Sequence, residues 1–143
     1  HAEVDSLGND FMVGVTVPVT TLCPCSKAIS EYGAHNQRGY VTVEVRAKRA
    51  ANGLPKMIWI EELVEIAETA GSAPVYPLLK REDERALTMR AYDNPAFVED
   101  VVRAVASKLR ADPRIEWLRV KAVTLESIHD HNAFAEIIWP HDR

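Results

Sequence analysis

Alternating apolar and polar residues predict β-strands towards both ends of the chain. The first strand is predicted from Asp10 to Thr20, and its apolar face contains Phe11, Val13, Val15, Val17 and Val19. Pro18 indicates a sheet edge or a strand end there. In a second strand Val41, Val43 and Val45 alternate with polar residues. Because a period of two places these valines on one face, each strand is predicted to bury that face.

Two segments in the middle of the chain have a helical period instead. The first helix is predicted from Ile60 to Ala70, where Gly71 is typical of a helix end. Its apolar stripe contains Ile60, Leu63, Val64, Ala67 and Ala70. The second helix is predicted to begin at Asn94-Pro95, an N-cap followed by proline at the first helical position, and to end before Pro113. Its stripe contains Val98, Val101, Val102, Val105 and Leu109.

The order of the elements predicts an α+β fold. Two more strand candidates follow the second helix, roughly from Arg114 to Leu125 and from Asn132 to Trp139. The order strand, strand, helix, helix, strand, strand predicts a four-stranded antiparallel sheet with two helices on one face. A chain of 143 residues suits one such domain. The sheet would have open edges that contacts in an oligomer could cover.

Composition, charge and cysteine spacing restrict the partners and the cellular location that the protein can have. A net charge of -4 argues against a general nucleic-acid-binding surface, but local basic residues could still hold a phosphorylated small molecule. No apolar run approaches the roughly 20 residues that span a bilayer, and the pattern of the first residues predicts no secretory signal. Cys23 and Cys25 are too close in sequence for an unstrained disulfide, so free thiols and a cytoplasmic location are predicted.

The segment between the first two strands is the first candidate for chemistry. It contains Cys23, Cys25 and His35, and thiolate and imidazole are preferred zinc ligands. Cys23 and His35, twelve residues apart between paired strands, could reach one ion. The alternative is a buried thiol with an unrelated loop histidine. Cys25 has three interpretations from spacing alone: a second ligand, a packed thiol, or a reactive thiol beside a metal.

Further titratable residues are candidates for catalysis or binding, and each could instead be an ordinary solvent-exposed residue. His129 and His131 point the same way in an extended chain and suit proton transfer or metal binding, although the segment from Glu126 to Asn132 could also be a solvated turn. Glu84 lies in a charged run that is ordinarily a solvated face. Glu99 flanks the stripe of the second helix, where it is either exposed or partly buried and able to bind adjacent N–H donors of a purine.

Four motifs resemble the GTP cyclohydrolase type IB family. They read LCPCSKAISEYGAHNQR, VYPLLKREDE, AYDNPAFVED and ESIHDHNA, and they extend from Leu22 to Ala133. The resemblance implies a tunnelling fold, with the same element order as the periodicity predicts. It also implies a homo-oligomer whose active sites lie between units. The chain, residues 1–143, matches a single unit, the C-terminal half of a two-unit enzyme. It is therefore either a fragment of a longer protein or the partner of a separate N-terminal half.

The resemblance implies the reaction and a role for each matching residue. The reaction is hydrolytic opening of the GTP imidazole ring, giving formate and 7,8-dihydroneopterin triphosphate for folate or queuosine synthesis, with manganese, iron or zinc as the metal. The implied metal ligands are Cys23, His35 and Glu84. The implied catalytic residues are Cys25, Glu126, His129 and His131. The implied substrate-binding residues are Glu99 for guanine, and Lys27 and Arg38 for phosphates.

Two other functions are compatible with the same residues. One is a different tunnelling-fold enzyme acting on another purine or pterin, and the other is a non-catalytic interaction module stabilised by metal. One departure from the family pattern lies beside a proposed ligand, because Glu82 stands where the family is expected to have proline.

Overall fold

A computed structural model describes the backbone of residues 2–4 and the whole of residues 11–140. Asp10, with which the first strand was predicted to begin, lies outside these residues. The strands are β1 (Ala2–Val4), β2 (Phe11–Leu22), β3 (Asn36–Ala47), β4 (Ala73–Pro74), β5 (Ile115–Thr124) and β6 (Ala133–Trp139). The helices are α1 (Pro24–Ile29), α2 (Ile60–Ala70), α3 (Arg81–Asp93) and α4 (Val98–Ala111).

The strands form one antiparallel sheet in the order β1-β2-β3-β5-β6, and β4 pairs with β2. The α+β prediction is confirmed, and the four predicted strands are the long strands of this sheet. The strand count differs because the three-residue β1 and the two-residue β4 each add a short strand. Both pair with β2, on either side of Pro18, which fits the predicted edge position. The arrangement is compatible with a tunnelling-fold unit.

The core lies between one face of the sheet and the helices α2 and α4. The alternating valines of β2 and β3 are buried, as their period predicts, and they cluster with the apolar stripes of both helices. Leu63 of α2 and Leu109 of α4 are each 1% exposed. The helices therefore cover one face of the sheet. Along the described part of the chain, no helix has the length and apolar character needed to cross a membrane.

Two helices were not predicted, and α4 begins later than predicted. The charged run that contains Glu84, which is ordinarily a solvated face, enters α3, whose single buried residue is Ala91. Acidic residues in the first turn and Arg90 in the last complement the helix dipole, which an apolar stripe does not reveal. Asn94 is the C-cap of α3 rather than the N-cap of α4, and it donates from Nδ2 to the carbonyl of Gly71.

Gly71 ends α2 as predicted, but its small size matters more than its backbone freedom. Its φ of −76° is open to any residue. A Cβ at this position would lie 2.8 Å from Cβ of Val19, which is too close for two carbon atoms. The glycine thus allows the end of α2 to lie directly against β2, next to the strand end that carries the candidate site.

A cluster of charged residues joins the start of β5 to the start of α2. Arg114 donates to both carboxylate oxygens of Asp112 and of Glu62, at 2.7–3.1 Å, and to the carbonyl of Met57 at 3.0 Å. Its hydrogen bonds hold the pKa of Asp112 and of Glu62 below their ordinary values. The carboxylates in turn raise the pKa of Arg114.

Replacing Arg114 with methionine is expected to lower the free energy of unfolding by about 1 kcal/mol at neutral pH, since Glu62 is 40% exposed and solvent screens the pair. The carboxyl pKa values are lower in the folded than in the unfolded state. The stabilisation is therefore present above the ordinary values of 3.8 and 4.5 and is lost as the pH falls through the lowered folded values.

Denaturant unfolding between neutral pH and about pH 3 checks this, and the two proteins should converge in the acid range. Arg103→Met is the matched control, because Arg103 pairs with Asp100 on the exposed surface of α4. Its effect is expected to stay below about 0.5 kcal/mol. An Arg114→Met difference that is constant from neutral to acid pH would contradict the assigned ion pairs.

Candidate functional site

The paired ends of β2 and β3 bring Cys23 next to His35. Leu22 and Asn36 form the last pair of the two strands, and the backbone N–H of Cys23 donates to the carbonyl of His35 at 3.1 Å. The twelve-residue separation in sequence therefore becomes a direct backbone contact. This contact brings the two backbones together, and a shared ion for the thiol and the imidazole stays a prediction.

Cys23 also begins α1, which places the two thiols differently. Its Sγ accepts the backbone N–H of Ser26 at 3.4 Å, in the N-cap position. The hydroxyl of Ser26 accepts the backbone N–H of His35 at 3.3 Å, so the helix start and the histidine are held together. Cys23 is half-buried, whereas Cys25, in the first turn of α1, is exposed, and both are free thiols.

The side chain of His35 belongs to a hydrogen-bonded group from three segments. Its Nδ1 lies 2.9 Å from Oε1 of Gln37 and 3.3 Å from the hydroxyl of Ser127. Glu126 accepts from Nε2 of Gln37 at 3.3 Å and from the hydroxyl of Thr124 at 2.9 Å. Thr124 ends β5 and is 4% exposed, so the carboxylate is anchored to the end of the sheet.

Among the described residues, His35, Glu126 and His129 have ligand atoms that all lie within 4.8 Å of one another. Two ligands of one ion, with bonds of about 2.1 Å, are at most about 4.2 Å apart, so small side-chain rotations bring all three onto an ion. Two imidazoles and one carboxylate suit zinc, manganese or iron. The donor set therefore fits a divalent metal.

His129 extends this cluster outwards to His131. The ring of His129 lies edge-on to that of His35, with centroids 6.2 Å apart, and stacks on that of His131 at 5.4 Å. The expectation that His129 and His131 point the same way agrees with this stacking. Both histidines are exposed.

A pocket of about 220 Å³ opens beside this cluster, between the sheet end and the start of α4. Predicted site residues line much of it. These are Cys23, Glu99, Glu126, His129 and His131. Glu99 is exposed, in the first turn of α4.

A larger cleft of about 810 Å³ contains other predicted residues, Glu84 and Arg38. Leu22 and Asn36 line this cleft, whereas their neighbours Cys23 and Gln37 line the pocket. Consecutive strand residues point to opposite faces, so the two cavities lie on opposite sides of the paired ends of β2 and β3.

Lys27, predicted to contact phosphate, is engaged with Tyr92 at the edge of the cleft. Its Nζ donates to the carbonyl of Tyr92 at 2.5 Å and lies 4.2 Å from the centroid of the tyrosine ring. This contact ties α1 to the end of α3. A phosphate would have to compete with it.

Each of the three predicted metal ligands thus lies in a different part of the site. His35 belongs to the set His35, Glu126 and His129, which we call the converging group. Cys23 lines the neighbouring pocket, and Glu84 faces the cleft. The assignment of Cys23 and Glu84 as ligands stays a prediction.

Sequence reasoning did not identify Gln37, Thr124 and Ser127, which orient His35 and Glu126. The alternation of β3 is a signal for Gln37, because it places residues 35 and 37 on the same face. Ser127 has no local signal, because the histidine that it contacts is 92 residues away. Thr124 lies only two residues from Glu126, but nothing in the spacing distinguishes it as an anchor.

Comparison with known proteins identifies clear relatives. A family model described as Type I GTP cyclohydrolase folE2 matches residues 1–135. The GTP cyclohydrolase FolE2 of Caldicellulosiruptor bescii is 61% identical over 128 residues, which cover 90% of this chain and 47% of that protein. That of Syntrophotalea carbinolica is 58% identical over 131 residues, covering 92% and 47%. The chain therefore spans about half the length of the curated relatives it matches.

Proposed function

Since this chain belongs to the type I GTP cyclohydrolase FolE2 family, we propose that it supplies the metal-binding half of an enzyme that opens the imidazole ring of GTP. The products are formate and 7,8-dihydroneopterin triphosphate. The observation that carries the proposal is the convergence of His35, Glu126 and His129 beside a pocket that also contains Cys23 and Glu99.

The pocket offers a carboxylate for the guanine base. Guanine presents two adjacent N–H donors on one edge, and an ionised carboxylate accepts both. Glu99 lines the same pocket as His129 and His131, where it would hold the base by this edge. Binding guanine through Glu99 would leave the opposite, imidazole side of the purine free to face the cluster.

The proposed cofactor is a divalent ion, which supplies Lewis acidity and an activated water when bound. His35 is the proposed ligand shared by the predicted set and by the geometric group. Glu126 and His129 are supported by their proximity, and Cys23 and Glu84 by the family pattern. Manganese, iron and zinc all accept imidazole and carboxylate ligands.

Proton transfer is the proposed role of Cys25, Glu126, His129 and His131. Opening of the imidazole ring needs a proton on the departing nitrogen, and release of formate needs a second hydrolysis. Exposed thiol and imidazole groups close to the pocket can carry these protons. Ribose opening and closure of the new ring then require a general acid and base, for which the stacked pair His129 and His131 is suited.

The triphosphate is proposed to contact basic residues. Arg38 lies in the large cleft, on the other side of the paired strand ends from the pocket, so it would contact the triphosphate of a GTP bound at a site shared with another unit. Its guanidinium can form bidentate hydrogen bonds with phosphate oxygens. Lys27 can contribute only if it leaves the carbonyl of Tyr92, so we assign it the weaker contact.

We further propose that residues 1–143 form one tunnelling-fold unit that acts within a homo-oligomer and together with an N-terminal half. The relatives are about twice as long as this chain, which leaves room for a second unit. The open edge of β6 is available for contact with another unit. The product would serve folate or queuosine synthesis.

Incubation of the full-length protein with GTP and Mn²⁺ should release formate and a fluorescent pterin in equal amounts. Cys25→Ala is expected to lower turnover by about 100-fold or more with the fold retained, because it removes a proton carrier. Ile29→Ala is the matched control on the same helix, since Ile29 is 86% exposed.

Two outcomes would contradict the proposal. A metal-loaded protein that binds a purine or pterin without releasing formate is a different tunnelling-fold enzyme. A protein that is unaffected by Cys25→Ala and unfolds when the metal is removed is a metal-stabilised interaction module.

A further inference from the structure

Gln37 connects His35 to Glu126, and the proposed reaction assigns it no role. Its Oε1 lies 2.9 Å from Nδ1 of His35, and its Nε2 lies 3.3 Å from Oε1 of Glu126. The residue is half-buried at the start of β3 and lines the pocket. One amide therefore touches two members of the converging group.

The chemistry of the amide sets its orientation. An ionised carboxylate only accepts hydrogen bonds, so Glu126 requires the NH₂ group of Gln37 on its side. The carbonyl oxygen of the amide then faces His35 and can only accept, so the Nδ1 of His35 must carry a proton. The hydroxyl of Ser127, 3.3 Å from the same nitrogen, can accept a share of that N–H.

We propose that Gln37 is a positioning residue that holds His35 as its Nδ1–H tautomer and leaves Nε2 with a lone pair for a divalent ion. This rests on the proposed function for the identity of what Nε2 binds. The hydrogen bond to Glu126 couples the orientation of the histidine to that of the carboxylate. Thr124 anchors the carboxylate from the other side, at 2.9 Å.

Replacing Gln37 with methionine, which is similar in size but cannot pair with either partner, should weaken Mn²⁺ binding by about 10- to 100-fold. Free Mn²⁺ in titrations of the full-length protein, measured by electron paramagnetic resonance, gives the affinity. The tautomer is measured separately, from the ¹⁵N shifts of the histidines in the metal-free protein at about pH 8, where histidine is ordinarily neutral. Comparison with His35→Gln assigns the signal of His35.

The tautomer measurement distinguishes positioning from a purely structural role. Gln37→Glu retains an acceptor for Nδ1–H, so it should keep the wild-type tautomer, whereas Gln37→Met should lose the bias. Thr42→Val is the matched control on the same strand. It removes the 3.0 Å cross-strand hydrogen bond between the hydroxyls of Thr42 and Thr16, and this bond lies away from the site. It should change neither the affinity nor the tautomer.

A wild-type His35 protonated on Nε2, or a Gln37→Met protein with wild-type affinity and tautomer, would overturn the proposal. Failure of the proposed function has a different signature. In that case the wild-type protein binds no Mn²⁺. The Nδ1–H tautomer of His35 is nevertheless present in the wild-type protein and lost in Gln37→Met, and this result supports the positioning role.

Discussion

Replacement of His35 with alanine is expected to abolish stoichiometric binding of divalent metal and to lower kcat/KM for GTP by more than about 1000-fold, since a metal supplies several kcal/mol of transition-state stabilisation. His35 is the residue common to the predicted ligands and to the group whose ligand atoms lie within 4.8 Å. Metal content by mass spectrometry and formate release from the full-length protein measure the two effects.

Two carboxylate variants identify the remaining ligands. Glu126→Gln and Glu84→Gln are matched, because each removes one charge and nearly preserves the volume. Loss of metal only in Glu126→Gln would assign the metal to the converging group, and loss only in Glu84→Gln would assign it to the predicted set. Stoichiometric metal and normal turnover in His35→Ala would contradict both assignments.

Replacement of Leu118 with alanine should lower the free energy of unfolding by about 3 kcal/mol. Leu118 is 0% exposed, lies in β5 between Val45 of β3 and Trp139 of β6, and belongs to the core cluster under α4. The surrounding strands cannot collapse into the space without breaking their register, so a cavity remains. Denaturant unfolding at a fixed protein concentration measures the change.

Leu54→Ala is the control for the same deletion of atoms at the surface. Leu54 is 63% exposed, so its replacement should change the free energy of unfolding by less than about 0.5 kcal/mol. Equal effects of the two substitutions would contradict the assigned core.

Elements with a strong apolar period were predictable from the chain alone. The helix α2 begins and ends at the predicted residues, Ile60 and Ala70. The long strands agree with prediction to within about two residues at their ends, apart from β3, which extends beyond the valines into Asn36. Burial of one face imposes a period on these segments, and the period can be read without knowledge of the partner.

The helices α1 and α3 were not predicted because they bury almost no side chains, so their sequences lack an apolar helical period. The described side chains of α1 include none that is buried, and Ala91 is the one buried residue of α3. Their stability depends on caps, dipole interactions and contacts such as that of Lys27 with Tyr92, which a hydrophobic period does not record. The displaced start of α4 has a different cause, because Asn94 caps the preceding helix instead of α4.

Residue order and spacing were enough to specify the α+β layers and the family, because periodic burial and contiguous motifs are local properties of a chain. Convergence of side chains is a long-range property. It depends on the strand register that brings Gln37 within reach of Glu126. It also depends on the packing of the helices, which places Glu84 of α3 at the cleft and Cys23, at the start of α1, at the pocket. Which groups meet at the candidate metal centre therefore became visible only once the sheet was assembled.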